Sequence, residues 1–109
     1  MSNPTGTALM LMAERGISVC QVEGCNNLAE ECHHCLYGKR KGAKQLNHEE
    51  NLQLVCRDCH KFSGRAKSWE NRVLFWKWAC SWYGAEHMKR WNEKLPLKIK
   101  ERYEEIELD

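Results

Sequence analysis

Thiols and imidazoles are interleaved between Cys20 and His60. Cys20 and Cys25 come first, then the run Cys32-His33-His34-Cys35, then Asn51, then Cys56, Cys59 and His60. Such residues suit two different ions. Four thiolates close a tetrahedral zinc, which is then structural because no position is left for substrate or water. Two imidazoles plus waters leave an ion open, and would accept Mg, Mn, Ni, Co or Zn. His33 and His34 are neighbours, and neighbours on an extended strand point to opposite faces. They are therefore poorly placed to share one ion. They can divide the labour, one holding the ion and the other taking a proton from an attacking water near pH 7.

Two zinc sets compete. One is Cys20, Cys25, Cys56 and Cys59; the other is Cys32, Cys35, Cys56 and Cys59, a C-x2-C-x20-C-x2-C pattern that on spacing alone reads as a zinc ribbon. The second set leaves Cys20 and Cys25 unused and puts the His pair inside a knuckle. Cys80 lies apart, in an aromatic-rich stretch, and reads as a small buried apolar residue.

The elements that must position these groups are short. Residues 1–6 read as a frayed end, and 7–15 as a helix ending at Gly16. Residues 17–22 are β-like and carry Cys20, and Gly24, Asn26 and Asn27 mark a turn between the first two cysteines. A hairpin is expected from Glu30 to Val55, with extended segments over 30–37 and 52–55 joined by a long basic connection. A helical turn should begin near Arg57 and carry His60. The second half changes character. Residues 68–83 lack Gly and Pro, with Trp69, Val73, Trp76, Cys80 and Tyr83 at helical spacing and Gly84 as a stop. A second helix over 86–94 and a third opened by Pro96, with Ile99, Tyr103 and Ile106 on one side, should follow. The aromatics read by default as core, and alternatively as a dimer interface or a base-stacking surface.

The chain has 109 residues, which predicts one domain whose small core needs a staple. No signal peptide or membrane span is visible, so a cytoplasmic location with reduced thiols is expected, and metal binding is the better use of seven cysteines. The net charge of +2 does not by itself suggest a nucleic acid. Its distribution says more. Lys39, Arg40, Lys41 and Lys44 form a basic loop, Arg57, Lys61, Arg65, Lys67 and Arg72 follow the second cysteine pair, and the acidic excess sits at the tail. A phosphate-binding face and a solvated surface account for that pattern equally well.

From Cys20 to Phe62 the order His-His, Asn, His, framed by cysteine pairs, resembles the HNH endonucleases, and the stretch NLQLVCRDCH fits them well. The resemblance is to the subgroup with a zinc-binding cysteine quartet, of a compact kind common in phages and prophages of bacterial hosts. It implies a small α+β fold: a ββα-metal hairpin-helix core over 17–65, stapled by a structural zinc on Cys20, Cys25, Cys56 and Cys59, and a helical extension over 66–109. It implies DNA hydrolysis with one divalent cation (Mg, Mn, Ni or Zn) held by His33 and His60. His34 is then the general base, and Asn51 ties down the loop and helps orient that base. Lys39, Arg40, Lys41, Lys44, Arg57, Lys61 and Arg65 would contact phosphates. His48, near Asn51, is left as an alternative for some role in the set, and His87 has no assigned role. A homodimer or a protein partner could use the Trp-rich half. The main alternative is a zinc-ribbon module that binds nucleic acid without catalysis.

Overall fold

The computed structural model describes residues 5–38, 43–98 and 100–108. Its centre is a two-stranded antiparallel sheet. β1 (Glu31–His34) pairs with β2 (Leu52–Val55) in the register Glu31↔Val55, Cys32↔Leu54, His33↔Gln53, His34↔Leu52. Both His33 and His34 therefore sit on a strand, as expected. β2 is buried along its whole length, which its near-continuous apolar sequence requires.

α1 (Gly6–Arg15) begins where the Thr5 hydroxyl accepts from the Ala8 N–H and ends at Gly16, whose φ of 66° lets the chain turn left-handed. Ala8 and Leu11 pack it against Ala29, Leu52 and Leu54. The expected strand over 17–22 is absent: only Val19 makes a single antiparallel bridge, to Leu28. The cysteine knuckle curls the segment instead, with Cys20 N–H donating to Asn27 O and Cys25 N–H to Val22 O. The Gln21 N–H then donates to Leu54 O at 2.7 Å and fastens this loop to β2.

After β2 the chain makes one wide π-type turn (Asp58–Phe62) that carries His60, as the sequence predicted near Arg57. Gly64, at φ 75°, redirects it toward α2 (Trp69–Tyr83), capped by the Ser68 hydroxyl and stopped at Gly84. α3 (Ala85–Lys94) folds back on it. Cys35, Leu36, Phe75, Trp76, Met88 and Trp91 lie in the main apolar core between these helices. Core accordingly claims most of the aromatics, although Trp69 and Trp82 stay half-exposed.

Among the described residues no α-helix follows Pro96, where a further one was expected; the tail is irregular there apart from a short turn at Tyr103–Glu105. Burial of one side chain accounts for this. Tyr103 is fully buried, its ring stacked between Trp69 and Trp76 at 5.7 and 5.1 Å, and its hydroxyl donates to Leu36 O. A regular helix, with Ile99 on the same face, was the expectation; Ile99 lies outside the described residues. β1 is also shorter than the extended 30–37 stretch foreseen, because the Leu36 and Tyr37 N–H groups turn inward to Asn51. No helix among the described residues is long and apolar enough to cross a membrane.

Candidate functional site

Two chain reversals bring four thiols together. The sulfurs of Cys20, Cys25, Cys56 and Cys59 lie within 4.8 Å of one another, and those of Cys25 and Cys56 are 3.7 Å apart. A tetrahedral zinc with bonds of about 2.3 Å has sulfur–sulfur edges of about 3.8 Å. The donor set fits zinc in number, kind and size. Burial pushes the Cys20 thiol up to about 11, and burial with neighbouring thiols pushes Cys59 well above the usual range. Burial would also raise Cys56. Hydrogen bonds from the Cys59 N–H, the Asn27 amide and the Cys59 and Cys25 thiols outweigh it and bring Cys56 down to about 7. A divalent cation among them reverses the burden of ionising the rest.

The rival set is not brought together. Cys35 is buried in the main core with the Asn71 amide 3.6 Å from its sulfur, and burial pushes its thiol up to about 12. Cys32 packs under α1. Cys80 is buried in the core. Among the described residues the quartet is the one group of three or more such side chains able to converge on an ion.

Beside the quartet the two imidazoles His33 and His60 meet, ring centroids 5.0 Å apart. His33 is buried on β1, its Nε2–H donating to Ala66 O at 3.0 Å. Burial first, and then its neighbour His60, lower its pKa from the ordinary 6.5 to about 4, so the ring is neutral. His60 donates its Nδ1–H to Glu31 Oε1 at 2.9 Å. Lys61 Nζ lies 3.0 Å and Arg57 Nε 3.9 Å from Glu31 Oε2. Burial alone would raise the Glu31 carboxyl; the bonds from His60 and Lys61 outweigh it and hold the group below its ordinary value. Each imidazole thus has one nitrogen tied by the protein and one lone pair left over, the arrangement metal-ligating histidines adopt. Imidazoles are donors of the kind that open ions with water or phosphate oxygens in their other positions use.

His34 points the other way from β1, onto the wall of an open groove of about 400 Å³ lined by Thr5, Thr7, Glu31, Cys32, His34, Asn47, Leu52 and His60. Its Nε2 lies 2.9 Å from Asn47 Oδ1. Asn51 is not in the groove. It is fully buried and makes four hydrogen bonds: its oxygen accepts from the Leu36 and Tyr37 N–H groups, and its amide donates to Tyr37 O and Leu46 O. It holds the chain that leaves β1 against the chain that enters β2.

The basic residues divide. Arg57 and Lys61 flank the groove through Glu31, and Lys44 is exposed on the turn Lys44–Asn47. Arg65 lines a separate groove with Val22, Glu23 and Ser68. Lys39, Arg40 and Lys41 lie outside the described residues. His48 is exposed, and His87 pairs with Glu50 at 2.7 Å, away from the groove.

Two residues escaped the sequence reading. Glu31 had a signal, since it precedes His33 by two on a strand and so shares its side. Asn47 had none, because polar residues in a connecting turn are ordinary.

The chain matches no family model, no curated protein and no solved structure. Its fold and site define a small α+β protein with a two-stranded antiparallel sheet and a cysteine quartet able to hold zinc.

Proposed function

We propose that this chain is an HNH-type endonuclease that hydrolyses DNA phosphodiester bonds, using one divalent cation and His34 as general base. The observation that carries the reading is the shared groove. His34 and His60 line the same cleft from β1 and from the turn that closes the cysteine quartet, with the His33 ring 5.0 Å from that of His60. His33 and His60 would hold the cation through the nitrogens the protein leaves free. Such an ion would supply Lewis-acid chemistry at the scissile phosphate and its leaving oxygen. His34 donates Nε2–H to Asn47, which leaves Nδ1 as the lone pair that takes the proton of the attacking water. Asn51 fixes the loop that follows the base. Arg57, Lys61 and Lys44 contact backbone phosphates, together with Lys39, Arg40, Lys41 and Arg65; such contacts hold a duplex without reading its sequence. The zinc on the quartet is structural.

The test incubates the zinc-loaded protein with supercoiled plasmid and with a branched duplex in Mg, Mn or Ni. Divalent-dependent cleavage is expected. His34→Ala should lose about 10²–10⁴ of the rate, the share a positioned base contributes, while keeping its zinc and its circular dichroism. A wild-type protein that binds DNA but cuts neither substrate with any of the three ions would make this a non-catalytic nucleic-acid-binding module.

A further inference from the structure

We propose that Glu31 is the positioning residue that fixes His60 as its Nδ1–H tautomer and so turns Nε2 toward the groove. The inference rests on the nuclease reading for its purpose, and on geometry for its content. Glu31 lies on β1 and His60 on the turn after β2, so this contact ties the two elements across the site. The carboxylate accepts the His60 Nδ1–H at 2.9 Å through Oε1, and its other oxygen is engaged by Lys61 Nζ at 3.0 Å. Each carboxylate oxygen thus carries one close contact from the turn after β2. Its side chain is only 13 % exposed, so water competes poorly for that bond.

A carboxylate accepts only, so the shared proton belongs to Nδ1 and the lone pair to Nε2. Next to it, His33 is held in the opposite sense. Its Nε2–H is spent on the Ala66 carbonyl, a group also held by the Asn71 amide at 2.8 Å, and its lone pair is on Nδ1. The two rings, 5.0 Å apart, therefore offer different nitrogens: Nε2 from His60 and Nδ1 from His33. Free imidazole side chains share no such assignment, so the pattern is a signature of Glu31 and Ala66 rather than of histidine itself.

The test uses the full zinc-loaded chain labelled with ¹⁵N at pH 8. Long-range ¹H–¹⁵N spectra identify the protonated nitrogen of His60 in wild type, Glu31→Gln and Glu31→Ala. Ni²⁺ affinity is measured on the same samples. Wild type and Glu31→Gln, whose amide oxygen still accepts, should hold the Nδ1–H form. Glu31→Ala should shift His60 to a mixture that includes Nε2–H and weaken Ni²⁺ about 10–100-fold, the usual effect of losing a ligand's outer partner, with one zinc still bound. A wild-type His60 protonated at Nε2, or a Glu31→Ala spectrum identical to wild type, overturns the proposal. Failure of wild type to take any Ni²⁺ beyond its zinc strikes at the nuclease reading instead, and the tautomer spectra still decide the role of Glu31.

Discussion

Asn51 uses every hydrogen-bonding site its amide has, in a place water does not reach. Removing it takes away the bond that it makes to each of two backbone N–H groups and two backbone carbonyls. Asn51→Ala should therefore lower stability by about 3–5 kcal/mol in urea unfolding, well above a typical surface change. Asn51→Asp should also be destabilising, because it keeps the acceptor but loses both donors and buries a charge. His33 makes a pH prediction at the same scale. The folded chain holds this ring neutral down to about pH 4, whereas in the unfolded chain it titrates near 6.5. Between those values the unfolded state binds a proton that the folded state refuses, so stability falls as pH drops through that window, by up to about 3 kcal/mol. The quartet also loses stability in acid, so the comparison that isolates His33 is the difference between wild type and His33→Gln. That difference should shrink as pH falls from 7 to 4.

At the scale of elements, the two cysteine knuckles do what a core of this size does poorly alone. Both are loops with little apolar content, and an ion held by the quartet would tie them to each other and to β2. Cys20→Ser should abolish stoichiometric zinc and sharply lower the melting temperature, whereas Cys32→Ala should keep one zinc per chain, both read by metal analysis and thermal melts. Spacing could not separate these cases in the sequence, since both cysteine sets satisfy it; folding separates them because Cys32 sits on a strand under α1 and Cys35 turns into the core. Where local signals were strong, the elements were legible. β2 was foreseen residue for residue, and α2 was bracketed by its cap Ser68 and its stop Gly84. The misses share one cause. Residues 17–22 look like a strand, and the stretch after Pro96 like a helix, but tertiary ties override both: the knuckle bends the first, and Tyr103 draws the second between Trp69 and Trp76. Of the candidate site, the ligand-type residues were legible by type and order, while their partners Glu31 and Asn47 became visible only when distant segments met.

For the molecule as a whole, the sequence suggests a seam near residue 66, with metal chemistry on one side and five tryptophans on the other. In the folded chain that seam is crossed. Asn71 on α2 exchanges two hydrogen bonds with Gln53 on β2, at 2.9 and 2.7 Å. Arg15, buried at the end of α1, donates to Leu52 O, Glu49 O, Gln21 Oε1 and Tyr83 Oη, and its guanidinium lies 4.7 Å over the Trp78 ring. One side chain thus joins the first helix, the approach to β2 and the end of α2. Such coupling predicts a single cooperative transition. The two halves carry separate reporters, because every tryptophan lies between Trp69 and Trp91 while the thiols of the quartet end at Cys59. Unfolding in urea followed by tryptophan emission and by zinc release should therefore give the same midpoint in wild type. Arg15→Met keeps much of the apolar stem but takes the donor from the buried Leu52 carbonyl and the part-buried Glu49 carbonyl, which costs about 2–4 kcal/mol. Its two curves should separate, with zinc released at a lower urea concentration than the tryptophan signal is lost, because the core around Trp76, Met88 and Tyr103 draws most of its buried residues from the helical half. Coincident curves in Arg15→Met would mean that the Asn71–Gln53 pair and the shared core suffice to couple the halves, and separate curves in wild type would mean that the seam is a real boundary.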